Sequence, residues 1–217
     1  MVDFELSSAE VRVLGCLMEK EMATPEYYPL SLNALVNACN QKSNRNPVVS
    51  YDEQTVLDAL DELKANHLAW QSDAARVAKY AHHVGKRFNL VTREMAVLCL
   101  LLLRGPQTMG ELRTRAERMY GFSDLDEVGE TMHSLEEMGM VRQMERQPGQ
   151  KESRFTHLLA GEADQAETGG DVPPEGAAPL APPRNERIAV LEEEMRTMRG
   201  ELQELRQAFL DFKQQFE

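Results

Sequence analysis

RVAKYAH, residues 76–82, and KESRFTH, residues 151–157, share one pattern at an offset of 75 residues: basic, two spacers, basic, aromatic, one spacer, histidine. In a strand of period two, Tyr80 and His82 fall on one face and Lys79 on the other, with Phe155, His157 and Arg154 placed likewise. Such a pair of segments reads as the second strand of two hairpins. The first strands are supplied by His67-Leu-Ala-Trp-Gln71 and Met140-Val-Arg-Gln-Met144.

Working back toward the N-terminus, each hairpin follows three predicted helices. Ser8-Ala-Glu-Val-Arg-Val-Leu14 and Thr92-Arg-Glu-Met-Ala-Val-Leu98 open the first helices alike, with a capping hydroxyl, an acid two places later and apolar residues at helical spacing. Second helices are expected from Leu30 or Ser31 to about Asn40 and from Thr108 to about Met119, capped by Ser31 and Thr108. Third helices are predicted from Asp52 to Asn66 and from Asp124 to Met138. There Val56, Leu60 and Leu63, and Val128, Thr131, Leu135 and Met138, form single buried stripes. Leu60 and Leu63 map onto Leu135 and Met138 at the same offset of 75.

Three helices and a hairpin, given twice, predict tandem winged helix-turn-helix domains: a mainly α fold with small β-hairpin wings. The expected boundaries are 1–90 for the first winged-helix domain and 91–159 for the second. The stretches SAEVRVLGCLMEKE, YYPLSLNALVNACNQKSNRNPV, LLLRGPQTMGELRTRAERM and RQPGQKESRFTHLL resemble the YceH-like family of uncharacterised bacterial proteins across nearly all of residues 7–159. That resemblance implies the tandem winged-helix architecture and brings no substrate, ligand or active site with it.

Residues 160–184 change character, being rich in Pro, Gly and acids with Arg184 as their one basic residue, and are expected to be a disordered linker. Residues 185–217 then show a heptad seam of Ile188, Leu191, Met195, Met198, Leu202, Leu205, Phe209 and Phe212, ending at Phe216. The pairs Arg187 with Glu192, Glu194 with Arg199 and Glu201 with Arg206 would all attract across a parallel coiled coil, so a homo-oligomer is expected through this helix.

Composition narrows the function. The chain of 217 residues carries 24 Lys and Arg against 36 Asp and Glu, a net charge of −12, so no global positive field draws it to nucleic acid or anionic lipid. Any such contact must be local. The longest apolar run, Met95 to Leu103, is far short of the roughly 20 residues of a membrane span. No basic, then apolar, leader opens the sequence, so a cytoplasmic protein is expected without membrane association. Cys16, Cys39 and Cys99 sit apart in apolar helical contexts and read as reduced, buried thiols. The five histidines show no metal-ligand spacing, and no nucleotide or nucleophile motif is present, so neither metal, cofactor nor catalytic residue is expected.

Cations cluster in sequence on the polar loop and the wings, while the third helices are acidic. The candidate nucleic-acid-binding residues are therefore Lys42, Asn44 and Arg45 of the loop, Arg76, Lys79, Lys86 and Arg87 around the first wing, and Arg146, Lys151 and Arg154 of the second. A structural account of the loop stands beside this, with Asn40, Asn44 and Asn46 in turn or left-handed conformations, Pro47 ending it and Ser50 or Asp52 capping the third helix. Duplex DNA held by the wings, in a transcription-regulator-like role, is the expected function. The acidic third helices leave a second expectation, a protein-docking adaptor. The architecture loosely resembles the tandem winged-helix subunits of bacterial chromosome-condensing complexes, which implies such a partner.

Overall fold

The computed structural model describes residues 4–72, 77–146 and 152–160; the linker expected at 160–184 and the coiled coil expected at 185–217 lie outside them, except for Ala160. In chain order the described elements are α1 (Ser8–Ala23), a 3-10 turn (Pro25–Tyr27), β1 (Leu30–Ser31), α2 (Leu32–Cys39), α3 (Glu53–Ala65), β2 (Ala69–Ser72), β3 (Lys79–His82), α4 (Val84–Arg87), α5 (Thr92–Arg104), α6 (Met109–Ala116), α7 (Leu125–Glu137), β4 (Val141–Gln143) and β5 (Phe155–His157). The fold is mainly helical with two small antiparallel sheets.

Two helices form the centre. α1 buries every residue from Val11 to Met18 and α5 every residue from Ala96 to Leu103, so neither has a solvent stripe over those turns. A helix that is apolar all round must be covered all round. The two pack against each other, which accounts for the apolar run 95–103. At Gly15 the two come close: a Cβ there would lie 2.8 Å from Leu103 Cδ2 and 3.2 Å from Leu102 Cβ. At the same crossing Cys99 Sγ donates to the Gly15 carbonyl at 3.4 Å.

Around this pair each half repeats one plan. α2 and α3 pack together and α3 covers α1; α6 and α7 pack together and α7 covers α5. In the first sheet the order is β1-β3-β2, with Leu30 opposite Tyr80 and Ala69 opposite His82. In the second, β4 pairs β5, and Gln107 makes an isolated bridge to Phe155. Leu30 and Gln107 thus hold the same place, each one residue before the hydroxyl that caps the next helix. Ser31 Oγ accepts from Ala34 N–H at 3.4 Å; Thr108 Oγ1 accepts from Glu111 N–H at 3.2 Å, and Glu111 Oε2 accepts from Thr108 N–H at 2.9 Å. β3 and β5 bury both their faces, Ala81 and Thr156 as well as the aromatic and histidine, because α1 packs on β3 and α5 on β5.

The third helices run between the expected limits, and their leading carboxylates explain why acids stand there. Asp52 accepts from Thr55 N–H at 2.8 Å and from Thr55 Oγ1 at 2.7 Å; Asp124 accepts from Glu127 N–H at 2.9 Å. They satisfy amides that the first helical turn leaves open.

Two local expectations are corrected. The first helices begin with Ser8 and Thr92 as helical residues rather than caps: Ser7 Oγ accepts from Glu10 N–H at 3.3 Å, and Val91, which has no side-chain acceptor, has its N–H bound instead by Glu94 Oε2 at 2.9 Å. The second helix of the first half ends at Cys39 with Asn40 as its cap, close to the expected limit, whereas that of the second half stops at Ala116, short of Met119. Asn40 turns out of the helix to bridge Tyr51, donating to its carbonyl at 2.8 Å and accepting from its N–H at 2.7 Å. Beyond Ala116 the chain tightens, with Met119 N–H on the Ala116 carbonyl at 2.7 Å.

Candidate nucleic-acid interface

The polar loop from Asn40 to Tyr51 is bound inward for much of its length. Asn46 donates its backbone N–H to the Leu103 carbonyl at 2.9 Å and its Nδ2 to the Arg104 carbonyl at 3.4 Å, so it completes the last turn of α5. Asn44 adopts a left-handed conformation (φ 59°) and its Oδ1 accepts from the Arg104 guanidinium. Lys42 is exposed.

Arg45 corrects the expectation that it reaches DNA. Its side chain is fully buried, and its guanidinium grips both oxygens of Glu19, at 3.0 and 2.6 Å. It also donates to the Ala38 carbonyl at 3.1 Å, the Asn44 carbonyl at 2.9 Å and Gln41 Oε1 at 3.1 Å. Burial alone would raise the Glu19 carboxyl pKa, but the bonds and charge of Arg45 more than offset it and hold that carboxyl below its usual value. A cation held in this way has no donor to offer a phosphate.

Around the first hairpin, Lys79 is half-buried, its Cα opposite Ser72 on one side and Ser31 on the other. Lys86 and Arg87 are exposed on α4, one residue beyond β3. The Arg87 guanidinium lies 5.4 Å from the Phe4 ring centre and 5.5 Å from that of Phe88. Stacking of this kind fixes its direction while leaving hydrogen-bond donors at its rim. Arg76 and Lys151 lie outside the described residues.

In the second hairpin Arg146 is exposed just past β4. Arg154 is a second correction: half-buried, it donates to the Pro106 carbonyl at 2.8 Å and to Glu111 Oε2 at 3.0 Å, tying β5 to the start of α6. Its charge is already matched. Of the ten predicted residues, Lys42, Lys86, Arg87 and Arg146 are exposed cations, with Lys79 half-exposed beside them.

The histidines of the repeated motif are structural. Val84 N–H donates to His82 Nδ1 at 3.3 Å, which leaves the proton on Nε2, and Nε2 faces Glu21 Oε2 at 2.7 Å. That contact with His82 is the largest cause holding the Glu21 carboxyl pKa below its usual value. His157 is buried, and burial pushes its pKa down to about 4, so it is neutral at pH 7. No group of three His, Cys, Asp or Glu among the described residues is placed to hold a metal ion. No described helix is long and apolar enough to cross a membrane.

The exposed surface of the third helices is acidic. Glu53, Asp58, Asp61 and Glu62 face solvent on α3, and Asp126, Glu130 and Glu137 on α7. Sequence reasoning missed Arg12. It is a buried cation in the middle of α1, and its one sequence signal is a charge standing between Val11 and Val13 in a run that is otherwise covered.

Comparison with known proteins adds a family. Residues 6–150 match the family described as "Protein of unknown function, DUF480". A UPF0502 protein of Geobacter sulfurreducens is 54% identical over 215 residues, covering 98% of both chains. UPF0502 proteins of Pelobacter propionicus and Solibacter usitatus are 52% identical over 217 residues and 50% over 221, covering 98% and 100% of both chains. The match takes in both halves of the described fold and fits the YceH-like resemblance of the motifs, and this chain belongs to the DUF480, or UPF0502, family of bacterial proteins.

Proposed function

We propose that this chain is a cytoplasmic, non-enzymatic tandem winged-helix protein that holds duplex DNA through its hairpins and α4, and oligomerises through a C-terminal coiled coil. The observation that carries the reading is the repetition: α1-α2-α3 with β2-β3, then α5-α6-α7 with β4-β5, with solvent-facing cations on the hairpins and α4 and carboxylates on the third helices. In this reading Lys79, Lys86, Arg87 and Arg146 contact phosphates, and α3 and α7 stay out of the major groove, where their acids would meet the backbone.

Fluorescence anisotropy on labelled duplex DNA tests it. Each phosphate contact contributes about −0.9 to the slope of log K against log salt. Replacing Lys79, Lys86, Arg87 and Arg146 together by Ala should flatten that slope by about 2–4. Absence of binding at low salt, or an unchanged slope in the fourfold variant, rejects the proposal.

The solvent-facing acids of α3 favour a second reading, a protein adaptor with a basic partner. Affinity capture after nuclease treatment separates the two: a stoichiometric partner that survives nuclease and is lost when Asp58, Asp61 and Glu62 become Asn or Gln supports the adaptor.

A further inference from the structure

Arg12 carries a charge that the fold does not answer. Its residue is 4% exposed, and its guanidinium donates from Nη1 to the Cys39 carbonyl at 3.3 Å and from Nη2 to the Pro47 carbonyl at 2.5 Å. A guanidinium has five N–H donors, so these two carbonyls leave most of it unmet. No carboxylate among the described residues lies within ion-pair distance of it; the nearby Glu19 is taken by Arg45. Burying a cation against neutral dipoles alone is unfavourable, and burial pulls its pKa below the ordinary arginine value.

Beside this guanidinium is a cavity of about 70 Å³ at the seam of the two halves. Arg12 and Ser8 of α1 line it from one side, Tyr51 from the connection before α3, and Thr156 and His157 from β5, with Leu101 among its apolar walls. About 10–15 Å³ of such space holds one water, so the cavity admits a group of a few heavy atoms, and it is far below the roughly 300 Å³ at which sites for drug-sized ligands begin. It is a small chamber, with hydroxyl-bearing residues around a buried cation.

We propose that this chamber is a binding site for a small oxyanion, a carboxylate or inorganic phosphate, with Arg12 as its charged anchor. Paired N–H groups of arginine match two oxygens of one such anion, and the low-dielectric surroundings strengthen the contact. Because the lining comes from α1, α5 and β5, an occupant would bridge both halves. The proposal is independent of DNA binding, since none of Lys79, Lys86, Arg87 and Arg146 lines this cavity.

The test is a thermal-shift and calorimetric titration of the full chain with sodium phosphate, sodium acetate and sodium chloride at matched ionic strength. A saturable rise in Tm of about 5–10 °C at a hundredfold excess over Kd is expected with phosphate or with acetate, and which of them acts identifies the anion. Arg12→Gln, which keeps a donor for the carbonyls and removes the charge, should abolish it. Should that variant not fold, NMR of the wild-type chain decides: the His157 side-chain resonances should shift saturably with the same oxyanion. Equal effects from chloride, an unaltered response in R12Q, or His157 resonances that do not move would each overturn the site.

Discussion

Replacing Glu19 by Gln should cost the fold about 3–5 kcal/mol. The Arg45 side chain is fully buried and Glu19 is 14% exposed, and the two make a bidentate pair at 3.0 and 2.6 Å. The magnitude follows from what remains: in E19Q the guanidinium keeps the Ala38 and Asn44 carbonyls and Gln41, all neutral, and a buried charge stripped of its counter-ion costs about that much. At about 2–4 °C per kcal/mol the melting temperature should fall by about 6–20 °C. Circular dichroism melts and urea titrations of E19Q, Arg45→Met and the double variant form a cycle, with a coupling energy above about 2 kcal/mol expected. The pair also has a pH signature. Because the folded carboxyl is held below its unfolded value of about 4.3, its stabilisation is full above that pH and is lost as pH falls through the folded value. E19Q should remove that part of the acid transition. A coupling below about 0.5 kcal/mol, or an R45M protein of wild-type stability with weakened DNA binding, would refute the reasoning and return Arg45 to the interface.

Gly15→Ala should destabilise by about 1–3 kcal/mol in urea unfolding, because the added methyl meets Leu103 and Leu102 across the α1-α5 crossing, a cost that outweighs the helix propensity gained. Thr108→Ala removes the cap of α6 and should cost about 1 kcal/mol in the same assay. His157 binds its proton more weakly when folded, so its neutral form stabilises the fold at neutral pH, and that contribution should drain away as pH falls from 6.5 toward about 4, at about 1.4 kcal/mol per unit. His157→Gln should flatten stability against pH over that window.

What was legible in the sequence is what local periodicity and capping decide. The limits of α3 and α7 follow from Asp52 and Asp124 and the buried stripes behind them, and Tyr80, His82, Phe155 and His157 announced two strands because their pattern repeats at a spacing the helices had already set. The fate of the charges was not legible, because it depends on partners distant in the chain. Arg45 in a run of polar residues reads as solvent-facing until Glu19, 26 positions earlier, is brought against it. Arg154 likewise meets Glu111, 43 positions away. Among the described residues Lys42 and Arg146 have no such acid folded onto them, and both are exposed, as a loop or strand-end cation ordinarily is.

The two halves have diverged where their connections differ. Residues 117–124 join α6 to α7 and close on themselves, with Tyr120 Oη donating to Glu127 at 2.5 Å and Arg113 donating to the Ser123 carbonyl at 2.9 Å. The longer connection, residues 40–52, reaches the other half instead: Asn46 ends α5, Asn44 receives Arg104, and Pro47 and Tyr51 roof the Arg12 chamber. A segment holding that many groups of the opposite half cannot rearrange around a ligand of its own without breaking them. The first half's turn is therefore committed to joining the halves, and the proposed contact with DNA rests on the parts the seam leaves alone: the hairpins and α4. The same commitment explains why His82 and His157 occupy matching positions yet face different surroundings. His82 is closed off by Glu21 and Val84 of its own half, whereas His157 opens onto the chamber that the longer turn of the first half creates.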